Sequence, residues 1–274
     1  MDRREFVKTA CGAVIVAGIR PWARAASRHF TEVGHFDAAE ARQGVAVDAA
    51  HVYVVDSTNT AKYDKKTRRL VQRNDGPPEG TLIHLDSGVV VEGRLYCAHS
   101  NYPEMPMTSS VEIWDTRTMK HAGNHSFGVM WGSCTWIDRH LGSWWAVFAN
   151  YDKPQGLEKL PYGYTRSTTL VKLDDQWMWK EAWLFPEQVL KNVRPMSVSG
   201  GAWGPDGYLY CTGHDPAEVY VLRLPKAGSI LELVDTVPCN IAGQGIAWDR
   251  TEAGMFYGIV KSKRQVVVSR FTAS

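Results

Sequence analysis

A short pattern recurs five times along the chain: a small residue, an alternating apolar stretch, an acidic or glycine turn, and a second apolar stretch. Gly44, Gly88, Ser133, Gly200 and Gly245 occupy equivalent positions, at intervals of 44, 45, 67 and 45 residues. A period of about 40 to 50 residues built from four short strands is typical of a β-propeller blade. The sequence therefore predicts an all-β fold, a five-bladed β-propeller.

The other strands of each repeat follow in register. Second strands are expected at residues 52–55, 95–98, 144–147, 209–212 and 255–258, and third strands at 111–115, 169–173 and 219–222. Alternating patterns rich in β-branched and aromatic residues are typical of strands. No convincing amphipathic helix is found after residue 26.

The two ends of the chain are predicted to share the last blade. The fifth repeat stops at its third strand, residues 265–271, and segment 29–36 has the length to supply the fourth strand and cover the sheet edge. The alternative is a six-bladed propeller, which needs a degenerate blade inside the long third repeat. The surplus there, residues 154–166 and 187–195, favours loops.

Residues 1–26 have the features of a twin-arginine signal peptide. Arg3 and Arg4 precede an apolar run of eleven residues, 9–19, which is too short to span a bilayer. Small residues at Ala23 and Ala25 place the predicted cut before Ala26. We expect a periplasmic or secreted protein that uses the twin-arginine export machinery, keeps no membrane anchor after cleavage, and forms a single β-propeller domain over residues 27–274.

The charge of the chain argues against nucleic acid as a partner. The whole chain carries 31 Lys or Arg and 29 Asp or Glu, and the first 26 residues hold five of the basic and two of the acidic ones. The mature protein therefore has a net charge of about −1, with no clustered basic face. The expected partner is a small-molecule substrate.

The cysteines are expected to remain as free, buried thiols. Cys97 and Cys211 occupy equivalent strand positions in two blades that are not neighbours, too far apart for a disulfide. A bridge between Cys134 and Cys239 stays open.

In a propeller, the loops that lead into the first strands and those that join second to third strands emerge at one end. Polar residues of these loops from different blades are expected to converge around the central channel. The catalytic candidates are His99, His214 and Asp215, because imidazoles transfer protons near neutral pH and a carboxylate can orient them. The substrate-binding candidates are Arg42, Gln43, His84, Asn101, Tyr102, Trp131, Asn150, Tyr151, Gln244 and Lys261.

Each of these assignments has an alternative. His214 and Asp215 could instead form a turn before Pro216, and the two asparagines are common turn residues. Trp131 is a candidate for stacking on a sugar ring, whereas Trp136, Trp203 and Trp248 occupy equivalent strand positions and are expected to pack between blades. The Gly-x-Ser-x-Gly motif of serine hydrolases is absent.

The cofactor is left unknown by the sequence. The chain contains no Cys-x-x-Cys or His-x-x-x-His zinc motif. A divalent metal ion in the central channel, held by one residue from each of several blades, would leave no local motif. The sequence therefore neither shows nor excludes such an ion.

Five segments carry a resemblance to a known group: HSNYP from His99, SSVEIWD from Ser109, GPDGYLY from Gly204, GHD from Gly213 and GQGIAWD from Gly243. They resemble exported bacterial β-propeller proteins often labelled cycloisomerase, which are distantly similar to lactonase-like propellers. The resemblance spans nearly all of residues 27–274 and implies no established catalytic set.

Two functions are consistent with these features of the sequence. The leading hypothesis is a periplasmic enzyme that acts on a small polar, carboxylate- or sugar-derived substrate by acid/base chemistry of the cycloisomerase, lyase or lactonase type. In that case Arg42, Lys261 and Lys263 are candidates for binding an anionic group of the substrate. The alternative is a non-catalytic propeller that binds a glycan or a protein.

Overall fold

The computed structural model describes residues 27–74, 80–129, 131–161 and 163–274. The predicted signal peptide, residues 1–26, lies outside the described residues. The regular structure is nearly all β-strand, in five four-stranded antiparallel sheets. The innermost strands of successive sheets contact one another, and the fifth contacts the first. The predicted five-bladed β-propeller is therefore confirmed.

The first strand, β1 (Arg28–Asp37), belongs to the last blade, and the others follow blade by blade. Blade 1 consists of β2 (Gly44–Val47), β3 (His51–Val55), β4 (Thr60–Asp64) and β5 (Leu70–Asn74). Blade 2 consists of β6 (His84–Val91), β7 (Arg94–Ser100), β8 (Ser109–Asp115) and β9 (His121–Gly128). Blade 3 consists of β10 (Ser133–His140), β11 (Ser143–Ala149), β12 (Thr169–Leu173) and β13 (Trp179–Leu184).

Blade 4 consists of β14 (Gly200–Trp203), β15 (Leu209–Thr212), β16 (Glu218–Arg223) and β17 (Glu232–Pro238). Blade 5 consists of β18 (Ala247–Trp248), β19 (Met255–Val260), β20 (Gln265–Ala273) and β1. The repeat located the inner strands closely, since Gly44, Ser133 and Gly200 begin β2, β10 and β14. The exceptions are β6, which begins upstream of Gly88, and β18, which begins downstream of Gly245.

The ring is closed by the N-terminal strand, as the sequence predicts. β1 pairs antiparallel with β20 from Arg28 opposite Ala273 to Asp37 opposite Gln265. The ring of Phe30 lies 4.6 Å from that of Phe256 and 5.2 Å from that of Phe271, measured between centroids. Because β1 supplies the fourth strand of blade 5, the six-bladed alternative is wrong.

One short helix corrects the prediction that the chain after residue 26 has none. α1 (Glu187–Val193) lies between blades 3 and 4, in the segment 187–195 that the sequence assigned to a loop. Its Val189, Leu190 and Val193 are buried against the core of these blades. Seven residues are too few for a helical periodicity to be recognised in a sequence. None of the helices among the described residues has the length and apolar content to cross a membrane.

Tryptophans from the inner strands pack between blades, as predicted. Trp136 of blade 3 belongs to the same buried cluster as Leu209 and Cys211 of blade 4. The Trp203 ring of blade 4 stacks on His140 of blade 3 at 4.7 Å. The Trp248 ring of blade 5 lies 4.9 Å from the Tyr210 ring of blade 4, measured between centroids, and so joins these two blades. These contacts bury large apolar area between sheets and hold the blades in position.

The four cysteines among the described residues, Cys97, Cys134, Cys211 and Cys239, are buried and unpaired. The bridge between Cys134 and Cys239 that the sequence left open is not formed. The packing of the blades therefore contains no covalent link in the described part of the chain.

Candidate functional site

Loops at one end of the propeller enclose a cavity of about 210 Å³. It is lined by side chains from all five blades and from the loops predicted to converge there. Seven of the predicted site residues line it, namely Gln43, His84, Tyr102, Tyr151, His214, Gln244 and Lys261. Five further residues complete the lining, namely Asp86, Thr135, Lys153, Met196 and Ser199.

Asp86 is the buried acid of this cavity. The register of β6 against β7 shifts between Leu85 and Gly88, so Asp86 lies in a bulge. Bulges redirect side chains and are common beside active sites. The Asp86 side chain is 4% exposed. Burial raises its pKa well above the ordinary value, and the positive charge of Lys261 opposes this rise. The protonated form of the Asp86 carboxyl is therefore favoured.

His84 is the neighbour of Asp86 at the cavity wall. Its Nε2 lies 3.5 Å from Oδ2 of Asp86. Burial lowers the pKa of His84 to about 4, and the charges of His99, Lys261 and His214 act in the same direction. The imidazole is therefore neutral at pH 7, and the cavity holds a carboxyl and an uncharged imidazole side by side.

Two tyrosines and a lysine form the wall next to this pair. The ring of Tyr102 lies 5.0 Å from His84 and 5.2 Å from Tyr151, measured between centroids. Burial raises the pKa of Tyr151, so its hydroxyl stays protonated and can donate a hydrogen bond. The Lys153 ammonium lies over the Tyr102 ring at 6.0 Å. This wall combines aromatic surface with a positive charge.

The opposite wall comes from blades 4 and 5. His214 follows β15, and its Nδ1 lies 2.8 Å from Oδ1 of Asp215. Gln244 has a left-handed backbone with a φ of 65° and donates its N–H to the carbonyl of Gly213 at 2.9 Å. This contact joins the loops that carry His214 and Gln244, and Lys261 follows β19 on the same side.

The inner strands of blades 1 and 2 and the segment that leads into blade 5 approach one another closely beside the cavity. Gly44, Ser87 and Gly245 lie against one another, and each directly follows a cavity residue in the chain. An added Cβ on Gly245 would lie 2.6 Å from Oγ of Ser87, so this position requires glycine. The backbone N–H of Gly245 also donates to the carbonyl of Gln43 at 2.8 Å, which links blades 5 and 1.

His99, a predicted catalytic residue, lies inside blade 2 and does not line the cavity. β7 continues to Ser100, so His99 is part of the sheet rather than of the following loop. Its Nε2 accepts a hydrogen bond from the N–H of Ile83 at 3.2 Å, and its Nδ1 lies 2.9 Å from Oγ of Ser110. Burial lowers the pKa of His99, and the charge of Glu112 opposes this. These contacts join His99 to β8 and to the segment that leads into β6.

Five other predicted site residues also lie outside the cavity lining. Two are next to lining residues in the chain: Asp215 follows His214 and its side chain is 80% exposed, and Arg42 precedes Gln43 and its Nε pairs with Asp56 at 3.4 Å. Asn101 and Asn150 organise their own loops. Asn101 donates to the carbonyl of Pro106 at 2.9 Å, and Asn150 donates to the carbonyl of Trp131 at 3.2 Å.

Trp131 is the fifth of these residues, and its ring packs against blade 3 and does not line the cavity. Its ring lies 5.5 Å from Phe148 and 4.9 Å from Trp179. Lys263, named as an anion-binding candidate, is also absent from the lining.

Sequence reasoning missed Asp86 because it expected Ser87 and Gly88 to begin a regular strand. The available signal was a carboxylate next to the apolar run of residues 89–91, where an unpaired charge is costly to bury. Lys153 and Met196 lie in the long loops of the third repeat, which carry no recognisable pattern. Thr135 is part of β10, and its hydroxyl donates to the carbonyl of Val198 at 2.9 Å.

Among the described residues, no group of three or more His, Cys, Asp or Glu side chains is arranged to hold a metal ion. The charged and polar groups of the cavity are a carboxyl, two imidazoles, two ammonium groups, two phenols, two amides and two aliphatic hydroxyls. Such a set can donate and accept protons and can bind an anionic group.

Comparison with known proteins supports the fold. No known family matches the sequence, and no curated protein matches it. Among solved structures, glutaminyl cyclase from Myxococcus xanthus matches with a TM-score of 0.60 at 10% identity, covering 92% of this chain and all of that one. The PQQ-bound aldose sugar dehydrogenase from Streptomyces coelicolor matches with a TM-score of 0.56 at 10% identity, covering 91% and 99%.

Both similar structures are bacterial β-propeller proteins, and both are enzymes by name. At 10% identity the likeness shows the shared fold and carries no residue roles. The chain is thus a five-bladed β-propeller with a polar cavity at one end of its channel. No comparison supports the cycloisomerase label.

Proposed function

We propose that this protein is an enzyme that transfers protons on a small polar substrate in the channel-end cavity, by chemistry of the cycloisomerase, lyase or lactonase type. The observation that carries the proposal is Asp86, a buried carboxyl with a raised pKa, placed by a bulge beside a neutral imidazole. A strongly perturbed carboxyl in a cleft is a common property of catalytic acids and bases.

The roles follow from the raised pKa of Asp86 and from the position of His214 on the opposite wall of the cavity. Asp86 supplies a proton to the substrate, and the His214 imidazole on the opposite wall removes one, so the reaction needs no oxidant or reductant. The hydroxyl of Tyr151 donates a hydrogen bond to the substrate. Lys153 and Lys261 attract a carboxylate or another anionic group, which favours acidic substrates.

The size of the cavity limits the substrate. A volume of about 210 Å³ is below the roughly 300 to 1,000 Å³ of sites for drug-sized ligands. A small hydroxy acid, a sugar acid or a corresponding lactone fits this limit.

We also propose that the enzyme works in the periplasm or outside the cell. The support is the paired arginines and short apolar run within residues 1–26. N-terminal sequencing of the exported protein should find a mature terminus at or before Arg28. Retention of residues 1–26, or a terminus beyond Arg28, would contradict the proposal.

A substrate screen tests the activity. Small hydroxy acids, sugar acids and lactones are screened by thermal shift, and compounds that stabilise the protein are followed for turnover by NMR. Asp86→Asn should lower kcat by about 100-fold or more, because it removes the proton while keeping the shape. The matched control is Asp175→Asn, a carboxylate whose side chain is 64% exposed on the outer surface, and it should retain kcat.

Two results would overturn the proposal. One is unchanged turnover in Asp86→Asn. The other is saturable binding of a compound with no turnover of any compound by the unmodified protein, which would identify a non-catalytic binding propeller.

A further inference from the structure

A second cavity, of about 430 Å³, lies at the other end of the propeller. It is bordered by β1, β19 and β20 and by the turns after β2, β4 and β18. These turns emerge at the end opposite to the loops of the candidate active site. The cavity therefore lies at the seam where blade 5 and the N-terminal strand meet blade 1.

The inner surface of this seam cavity is apolar. Phe36 of β1, Met255 and Tyr257 of β19, and Val268 of β20 line it. Val33 belongs to the lining as well, because the register of β1 against β20 shifts between Glu32 and Gly34. Val33 is 50% exposed, so its apolar side chain is not covered by the protein core.

The rim of the seam cavity is positively charged. Lys65, Lys66 and Arg68 line it, against one carboxylate, Glu252. Lys65 is neutralised by Asp249, with which it forms an ion pair. The three cations and the two carboxylates, Glu252 and Asp249, therefore leave one positive charge in excess at the rim.

The other two cations have no carboxylate partner within the described ranges. Nη1 of Arg68 donates to the carbonyl of His35, a neutral group, at 2.8 Å. Lys66 is exposed on the turn after β4, and no ion pair of its ammonium is formed there with a described residue. The acid of the rim, Glu252, lies 3.7 Å from Arg270 and is thereby partly neutralised.

We propose that the seam cavity binds an organic anion with an apolar body, such as a medium-chain carboxylate. The apolar walls would cover the body of the ligand, and Lys66 and Arg68 would bind its charged end. A volume of about 430 Å³ falls within the range of small-molecule sites. This site is independent of the proposed activity, since it shares no residue with the channel-end cavity.

Binding there would stabilise the closure of the ring. The ligand would contact β1 and blade 1 together, two parts that ring opening would separate. A ligand that binds only the closed state raises its stability in proportion to the logarithm of its concentration.

The test uses octanoate as the anionic amphiphile and octanol as its neutral counterpart. Residues 27–274 are titrated with each compound by calorimetry, and thermal unfolding is followed in parallel. Lys66→Gln removes a rim charge at an exposed position. Val33→Glu places a negative charge, which repels the octanoate carboxylate, inside the cavity without disturbing the core. The matched control is Arg69→Gln, which removes an exposed charge from the same turn but outside the lining.

Octanoate should bind the wild-type protein saturably and raise its Tm. Its affinity should be about tenfold lower in Lys66→Gln and in Val33→Glu, and unchanged in Arg69→Gln. Octanol should bind more weakly than octanoate and show no difference between wild type and Lys66→Gln. The proposal is overturned by the absence of saturable octanoate binding, or by equal weakening in Lys66→Gln and Arg69→Gln. It is also overturned if Val33→Glu binds as well as wild type.

Discussion

At the scale of single residues, the candidate site depends on burying polar groups that water would otherwise solvate. Asp86 and His84 are both held in their uncharged forms by burial. The uncharged forms avoid the large cost of a buried ion. In these forms the Asp86 carboxyl can donate a proton and the His84 imidazole can accept one, and the two groups lie 3.5 Å apart.

His84 should make the protein sensitive to acid. Its folded-state pKa of about 4 lies below the ordinary 6.5, so its contribution to stability is complete above pH 6.5 and is lost as the pH falls toward 4. Wild type should lose about 3 kcal/mol more of its unfolding free energy than His84→Gln between pH 7 and pH 4. Denaturant unfolding at several pH values measures this, and the comparison at pH 7 isolates packing effects. Parallel pH curves for the two proteins would contradict the account.

Substitution of His99 should mainly lower stability, whereas substitution of His214 should mainly lower turnover. His99→Ala removes the partner of the Ile83 N–H inside blade 2 and should cost about 1 to 3 kcal/mol of stability. His214→Ala, at the cavity wall, should change stability by less than about 1 kcal/mol but reduce turnover. Chemical denaturation and kinetics on the same samples separate the two. A stable His99→Ala protein without turnover would restore His99 as a catalytic residue.

At the scale of elements, the sequence predicted strands wherever the alternation was regular and failed where it was interrupted. The inner strands of blades 1, 3 and 4 begin at their predicted residues because a small residue and an alternating run mark them. The bulge at Asp86 gives no such signal, since an inserted residue leaves the local composition unchanged. His99 was placed in a loop because a polar run ends β7, although backbone pairing continues to Ser100.

The closing strand should contribute strongly to stability. Phe30 of β1 packs among Phe256, Phe271 and Trp248 of blade 5. Phe30→Ala should therefore cost about 3 kcal/mol of unfolding free energy. His29→Ala, an exposed neighbour on the opposite side of the strand, is the control and should cost less than about 0.5 kcal/mol. Equal, small losses in both variants would show that β1 does not close the ring in solution.

At the scale of the whole molecule, the repeat sets the number of blades, and the ends of the chain set how they close. A 45-residue unit cannot bury both faces of its sheet alone, so neighbouring blades must stack. Which loop residues meet at the channel then follows from the ring. That is why seven of the residues that line the cavity could be named from the sequence, whereas the additions from the long loops of blade 3 could not.

The stacked blades should also protect the thiols. Burial raises the pKa of Cys239 to about 12 and raises those of Cys97, Cys134 and Cys211. Residues 27–274 in the native state should therefore react negligibly with a thiol reagent, and four thiols should react after unfolding. A reducing agent should leave the Tm unchanged. Fewer than four thiols after unfolding without reductant would reveal a disulfide.

The central claim is that Asp86 is a buried carboxyl held in its protonated form at the end of the channel. Carbon-13 NMR of protein labelled at the aspartate carboxyl carbons tests it directly, with Asp86→Asn used to identify the resonance. We expect the resonance that disappears in the variant to titrate well above the ordinary aspartate pKa of about 4. Titration of that resonance at or below about 4 would contradict the assignment of Asp86 as the proton donor.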